Sequence, residues 1–149
     1  MFIVIGADHG GFKLKEELKK HLVESGHIVK DYGTYSTDPV DYPDIALLVA
    51  QAVSNGSCDR GIMIDGTGIA SSIVANKLKN VRATACHDAF TANSAREHND
   101  SNMLCLGGSL LAPPLAKQIV DIWLKTPYAG GRHQKRIDKI KEIEKLYLK

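Results

Sequence analysis

Asp65-Gly66-Thr67-Gly68, followed by Ile69 and Ala70, is the densest chemical signal in the chain. Two glycines permit a tight turn in which successive backbone N–H groups face one point, and a helix beginning there adds its positive dipole end. Such a turn suits an oxygen that carries or develops negative charge. It is neither the Gly-x-Gly-x-x-Gly of a dinucleotide site nor a P-loop, which needs a lysine. On these residues alone, an anion site and a plain strand-to-helix turn both stay open. Asp8-His9 supplies another carboxylate and imidazole, or a helix cap beside an exposed histidine. His98 near a helix end is a proton donor and acceptor suited to neutral pH, or a cation favoured there by the dipole. His87-Asp88 reads equally as a capping pair. Arg132 and Arg136 lie four apart, so a helix sets both guanidinium groups on one face, where they suit a phosphate. Cations at a helix start oppose the dipole, and an anionic partner would relieve that mismatch. No two histidines stand at i, i+4 and no Cys-x-x-Cys occurs, so no metal site is expected.

These residues need elements to hold them, and the apolar pattern supplies alternating strands and helices. Strands are predicted at Phe2–Gly6, His27–Tyr32 (polar enough for an edge), Gly61–Asp65, Val81–Cys86 and Met103–Leu106. Helices are predicted at Phe12–Ser25, from Asp44 as N-cap through Val53, and over about Ile69–Leu78, Ala89–Glu97 and Leu111–Leu124. In the first, Leu14, Leu18 and Leu22 form the apolar face with Lys and Glu opposite, and Gly26 is the stop. Pro113-Pro114 fit only in the first turn of theirs. A last amphipathic helix, from about 131 to 149, carries Ile137, Ile140, Ile143 and Leu146. The fold class is α/β: one doubly wound (Rossmann-like), three-layer α/β/α domain over residues 1–149 with a five-stranded parallel sheet. Ligands of such sheets bind beyond the carboxyl ends of the strands. The loops expected there are Asp8–Gly11, Asp65–Gly68, His87-Asp88 and the residues near His98.

Composition narrows the function classes. The 149 residues are 44% hydrophobic and 24% charged, enough for a core without disulfides or structural metal. A net charge of +2 is too small to suggest a nucleic-acid partner, and the one basic cluster, from Arg132 to Lys149, interleaves Lys with Glu. Phe2–Ile5 is too short to span a membrane and has no basic segment before it, so no membrane association is expected. Three cysteines without pairing spacings fit a reducing, cytoplasmic setting.

Taken in order, Asp8-His9-Gly10-Gly11, Asp31-Tyr32-Gly33-Thr34, Asp41-Tyr42-Pro43-Asp44, Gly66-Thr67-Gly68 with Ala75-Asn76-Lys77, Arg96-Glu97-His98-Asn99-Asp100 and Gly130-Gly131-Arg132-His133 form a specific set. With them the chain resembles the ribose-5-phosphate isomerase B and galactose-6-phosphate isomerase family along nearly its whole length. The resemblance implies interconversion of ribose 5-phosphate and ribulose 5-phosphate through a cis-enediolate, without metal or cofactor. It implies homodimers, or tetramers, with active sites shared between subunits. Asp8, His9 and Tyr42 would hold the sugar, and His98 with Thr67 would open the furanose ring. The amides of Gly66, Thr67, Gly68, Ile69 and Ala70 would stabilise the enediolate oxygen, with Asn99 close by. His9, Arg132 and Arg136 would bind phosphate, the arginines coming from the other subunit.

Two positions depart from the family pattern. Many members have Cys at position 65 as the base that takes the C2 proton, and others use a Glu where this chain has Ser71. Asp65, the one acidic side chain in the turn, is thus the expected base here. The same amides would stabilise its carboxylate and weaken it for that task, while burial works the other way. The second departure is Ser109, where many relatives have an Arg at the phosphate end. It leaves room for an isomerase of another sugar phosphate, such as a six-carbon one. A non-catalytic sugar-phosphate-binding subunit is the reading from a different class.

Overall fold

The computed structural model describes all residues, 1–149. Five strands, β1 (Phe2–Ala7), β2 (Ile28–Asp31), β3 (Arg60–Asp65), β4 (Ala83–Ala85) and β5 (Met103–Gly107), form one parallel sheet in the order β2-β1-β3-β5-β4. Six helices accompany them: α1 (Phe12–Glu24), α2 (Tyr42–Ser54), α3 (Ile69–Ala75), α4 (Ala89–Asn99), α5 (Pro113–Lys125) and α6 (Arg132–Tyr147). Strand side chains alternate between faces. Ile3, Ile5, Ile62, Ile64, Leu104 and Leu106 pack with α1, α4 and α5, whereas Val4, Met63, Met103 and Cys105 pack with α2 and α3. This is the doubly wound three-layer arrangement expected. The chain leaves β1 for the β2 edge and then reverses to β3, so the crevice between the ends of β1 and β3 is the topological switch point. No helix is long and apolar enough to cross a membrane.

Several local expectations need correction. Helix α2 begins at Tyr42 after Asp41, not after Asp44, because Pro43 tolerates the first turn, where its missing N–H costs nothing. Asp44 lies inside that turn. Helix α3 stops at Ala75 instead of Leu78. Asn76 ends it by turning its side-chain amide to the strand: Nδ2 donates to Ala83 O at 2.9 Å and Oδ1 accepts from Ala83 N–H at 2.9 Å. Lys15 does not face solvent with the other charged residues of α1. It is fully buried, and its Nζ donates to Asp31 at 2.5 Å.

Candidate active site

The switch-point crevice is built from three loops locked together by backbone contacts. Gly108 N–H donates to Asp65 O at 2.7 Å and Ser109 N–H to Gly66 O at 3.0 Å, tying the loop after β5 to the loop after β3. Asp8 N–H donates to Ile64 O at 3.1 Å, tying the loop after β1 to the same strand. The approach is so close that a Cβ on Gly11 would lie 2.1 Å from Ile64 O. Gly68 has φ +82°, and a Cβ there would lie 2.9 Å from Cys105 O. Only glycine satisfies both the left-handed conformation and the contact.

Asp65 is buried within its own turn. Its Oδ1 accepts from the Thr67 N–H at 3.1 Å and from the Gly68 N–H, and its Oδ2 accepts from Ser71 N–H at 2.9 Å and Ser71 Oγ–H at 2.8 Å. A carboxylate has about four lone-pair sites, so Asp65 is saturated. Those bonds consume amides expected to face the substrate. Ile69 N–H donates to Thr67 Oγ1 at 3.3 Å. Gly66 and Ala70 N–H have no acceptor in the chain and are the donors left over. Because α3 spans under two turns, these individual amides outweigh any helix dipole.

Asp8 sits opposite. Its Oδ1 accepts from Gly11 N–H at 3.1 Å, while Oδ2 takes no hydrogen bond from the chain. Burial raises this carboxyl above its ordinary 3.8, with the Asp65 charge adding to the rise and the Gly11 and Gly10 amides opposing it. His9 Nδ1 meets the backbone of Val40, 3.1 Å from its N and 3.2 Å from its O, which draws the segment before Tyr42 to the crevice. Thr67 is exposed at the turn, and Ser109 Oγ would stand 3.8 Å from a Cβ on Gly66.

His98 and its neighbours lie elsewhere. The last turn of α4 feeds the amino end of β5, so the segment near His98 is not at the carboxyl ends as expected. Met103 pairs with Gly61, and Gly61 N–H donates to Asn102 O at 3.1 Å. Asp65 is four residues farther along β3, about 13 Å at strand rise. Parallel strands with helices returning over their faces force this separation within one chain. His98 Nδ1 shares a hydrogen bond with Ser94 Oγ at 3.2 Å, and its ring stacks on His133 with centroids 4.4 Å apart and planes 19° from parallel. Desolvation, then the charges of His98, Arg132 and Arg136, hold His133 below its ordinary value against the opposing pull of Glu97. Arg132 and Arg136 are exposed. Asn99 completes this cationic patch in sequence, its carbonyl accepting from Arg82 Nε–H at 3.1 Å.

The predicted residues therefore form two groups: Asp8, His9, Tyr42 and Asp65–Ala70 at the switch point, and His98, Asn99, Arg132 and Arg136 where α4 ends and α6 begins. Sequence reasoning did not give His133 or Ser94 a part in the site. The i−4 spacing of Ser94 from His98 was available as a signal. The ring stacking was not, because it depends on where α6 docks. Asp88 turns out to cap α4, accepting from Thr91 N–H at 2.7 Å.

A family model described as Ribose/Galactose Isomerase matches residues 3–140. The chain belongs to this family. It is 49% identical to ribose-5-phosphate isomerase B of Escherichia coli (strain K12) over 142 residues, 95% of each chain. A structure of ribose-5-phosphate isomerase B from Clostridium thermocellum superposes with a TM-score of 0.97 at 51% identity, covering 99% of both chains. That of Mycoplasma genitalium, with bound ribulose-5-phosphate, gives a TM-score of 0.94 at 42% identity, covering 97% of this chain and 96% of its own.

Proposed function

We propose that the chain interconverts ribose 5-phosphate and ribulose 5-phosphate, opening the furanose and passing through a cis-enediolate. The ribulose-5-phosphate held by the Mycoplasma genitalium relative carries this reading most directly. The crevice supplies what the reaction needs: a carboxylate for a carbon-bound proton, and two uncommitted amides for an oxygen that becomes negative only as that proton leaves. Gly66 and Ala70 N–H bind the enediolate oxygen. Thr67 and His98 exchange protons with the ring oxygen and the anomeric hydroxyl, and Tyr42 and Asn99 line the pocket. His9, Arg132 and Arg136 hold the phosphate.

His98, Asn99, Arg132 and Arg136 reach the crevice from a second copy of the chain. The separation along the sheet supports this homodimer, as do Ile140, Ile143 and Leu146 of α6, which are exposed in one copy. Three unpaired cysteines fit a cytoplasmic enzyme. Ser109, a short hydroxyl beside Gly66, supports a second reading with a different sugar phosphate. Purified protein given a panel of aldose phosphates should form ribulose 5-phosphate fastest and incorporate solvent deuterium at C2. Binding without deuterium incorporation would leave a non-catalytic protein, and preference for a six-carbon substrate would favour the second reading.

A further inference from the structure

Two carboxylates face the switch-point crevice, and the turn has already engaged one of them. Asp65 accepts four hydrogen bonds from Thr67, Gly68 and Ser71. To take a proton from carbon it would have to break at least one of them and release the turn that positions the substrate. Ser71 and Asp65 are both buried, so water is not at hand to replace a bond that Asp65 gives up. Asp8 has the opposite character. It is fixed at Oδ1 by Gly11 and leaves Oδ2 without a donor. A Cβ on Gly10 would lie 3.3 Å from Asp8 Oδ1 and 3.9 Å from Gly66 N. The carboxylate, by its Gly11-bound oxygen, and the uncommitted Gly66 amide nitrogen therefore both lie within 4 Å of one point where a glycine leaves out a side chain. A carboxylate with a free oxygen and an uncommitted amide this near one another supply the base and the oxyanion donor that moving a proton between adjacent carbons requires.

We propose that Asp8, through Oδ2, is the base that carries the proton between C2 and C1, and that Asp65 is the positioning residue that holds the Gly66–Ser71 turn. The proposal rests on the isomerase reading. In the step, Asp8 takes the proton from C2 of the open-chain aldose, and the C–H electron pair forms the C1–C2 double bond. The carbonyl π pair moves to O1, which the amides of Gly66 and Ala70 receive. The O2 proton passes to O1, the C2–O2 double bond forms, and the protonated Asp8 returns its proton to C1. Nothing is oxidised or reduced overall and no co-reactant is consumed. The desolvation that raises the Asp8 carboxyl also strengthens it as a base relative to an exposed aspartate.

Asp8→Asn keeps the Oδ1 acceptor for Gly11 while removing the base. It should lower kcat by about 10²- to 10⁴-fold and abolish C2 deuterium incorporation, with ribose 5-phosphate affinity by calorimetry within about threefold of wild type. Asp65→Asn should still incorporate deuterium at C2 at a reduced rate. The proposal is overturned if Asp8→Asn loses affinity by the factor it loses in turnover, since Asp8 would then only hold the sugar. It is equally overturned if Asp65→Asn abolishes exchange and Asp8→Asn does not. A variant-free test uses a pentitol 5-phosphate bearing a 1,2-epoxide, whose ring the base carboxylate opens to form an ester. Peptide mass mapping should find the ester on Asp8, and an ester on Asp65 would assign the base there. Wild-type protein that neither isomerises ribose 5-phosphate nor exchanges its C2 proton would defeat the isomerase reading itself, a different outcome from any of these.

Discussion

Hydrogen-bond saturation divides labour between Asp8 and Asp65, two residues of identical chemistry. The Asp8 carboxyl is raised above 3.8 chiefly by burial. As a base it must be ionised, so kcat/KM should fall on the acid side with a midpoint above that value. A pH–rate profile whose acid limb lies at or below 3.8 would contradict this. The stability sign runs the other way. A raised carboxyl binds its proton more tightly folded than unfolded, so it favours the folded state at low pH and loses that contribution as pH rises through its folded value. At neutral pH the ionised, desolvated Asp8 costs stability. Asp8→Asn should therefore raise the melting temperature at pH 7, the stability–activity trade expected of a working base. A lower melting temperature would mean that the charge is better accommodated than its burial implies.

Elements set the accuracy that residues alone cannot. Gly68 sits in the left-handed region against the backbone of Cys105, so Gly68→Ala should cost about 1–2 kcal/mol for the conformation alone, with more from the overlap. Thermal unfolding would register this, together with loss of turnover as the Asp65 turn shifts. Lys15 and Asp31 fasten α1 to β2 at 2.5 Å, with Lys19 at 2.9 Å from the same Asp31 oxygen. Burial alone would raise the Asp31 carboxyl, but the hydrogen bonds from Lys15, Lys19 and Gly33 hold it below 3.8. Its stabilisation is present above that pH and is lost as pH falls through the lower folded value. Asp31→Asn should cost about 1.5–3 kcal/mol at pH 7 because it leaves the buried Lys15 ammonium with only the Glu16 carboxylate at 3.1 Å, and adding Lys15→Met should recover much of the loss. Urea melts of the single and double variants check it, and an additive pair would contradict it.

The strands, their parallel direction and the first-turn prolines of α5 were legible in the sequence, because short apolar runs between helical periods leave few alternatives. The buried Lys15 was written in its i, i+3, i+7 spacing with Leu18 and Leu22 but obscured by its charge. The short α3 depends on Asn76 pairing with a strand seven residues away, which no local pattern encodes.

For the whole molecule, the site residues were legible as a set but their division was not. It follows from the direction of α4, which ends where β5 begins, so His98 and Asp65 stand at opposite ends of the sheet. A chain that closes its active site only with a second copy needs a self-complementary contact, in which each copy gives and receives the same residues. The most direct test combines two inactive variants, Asp8→Asn and His98→Asn, carried on differently tagged chains that are co-expressed and purified through both tags. In a mixed dimer one site receives both substitutions and the other receives neither, so activity on ribose 5-phosphate should return to about half that of wild type. A mixed dimer as inactive as its parents, or a fully active monomer, would contradict a site shared between two copies.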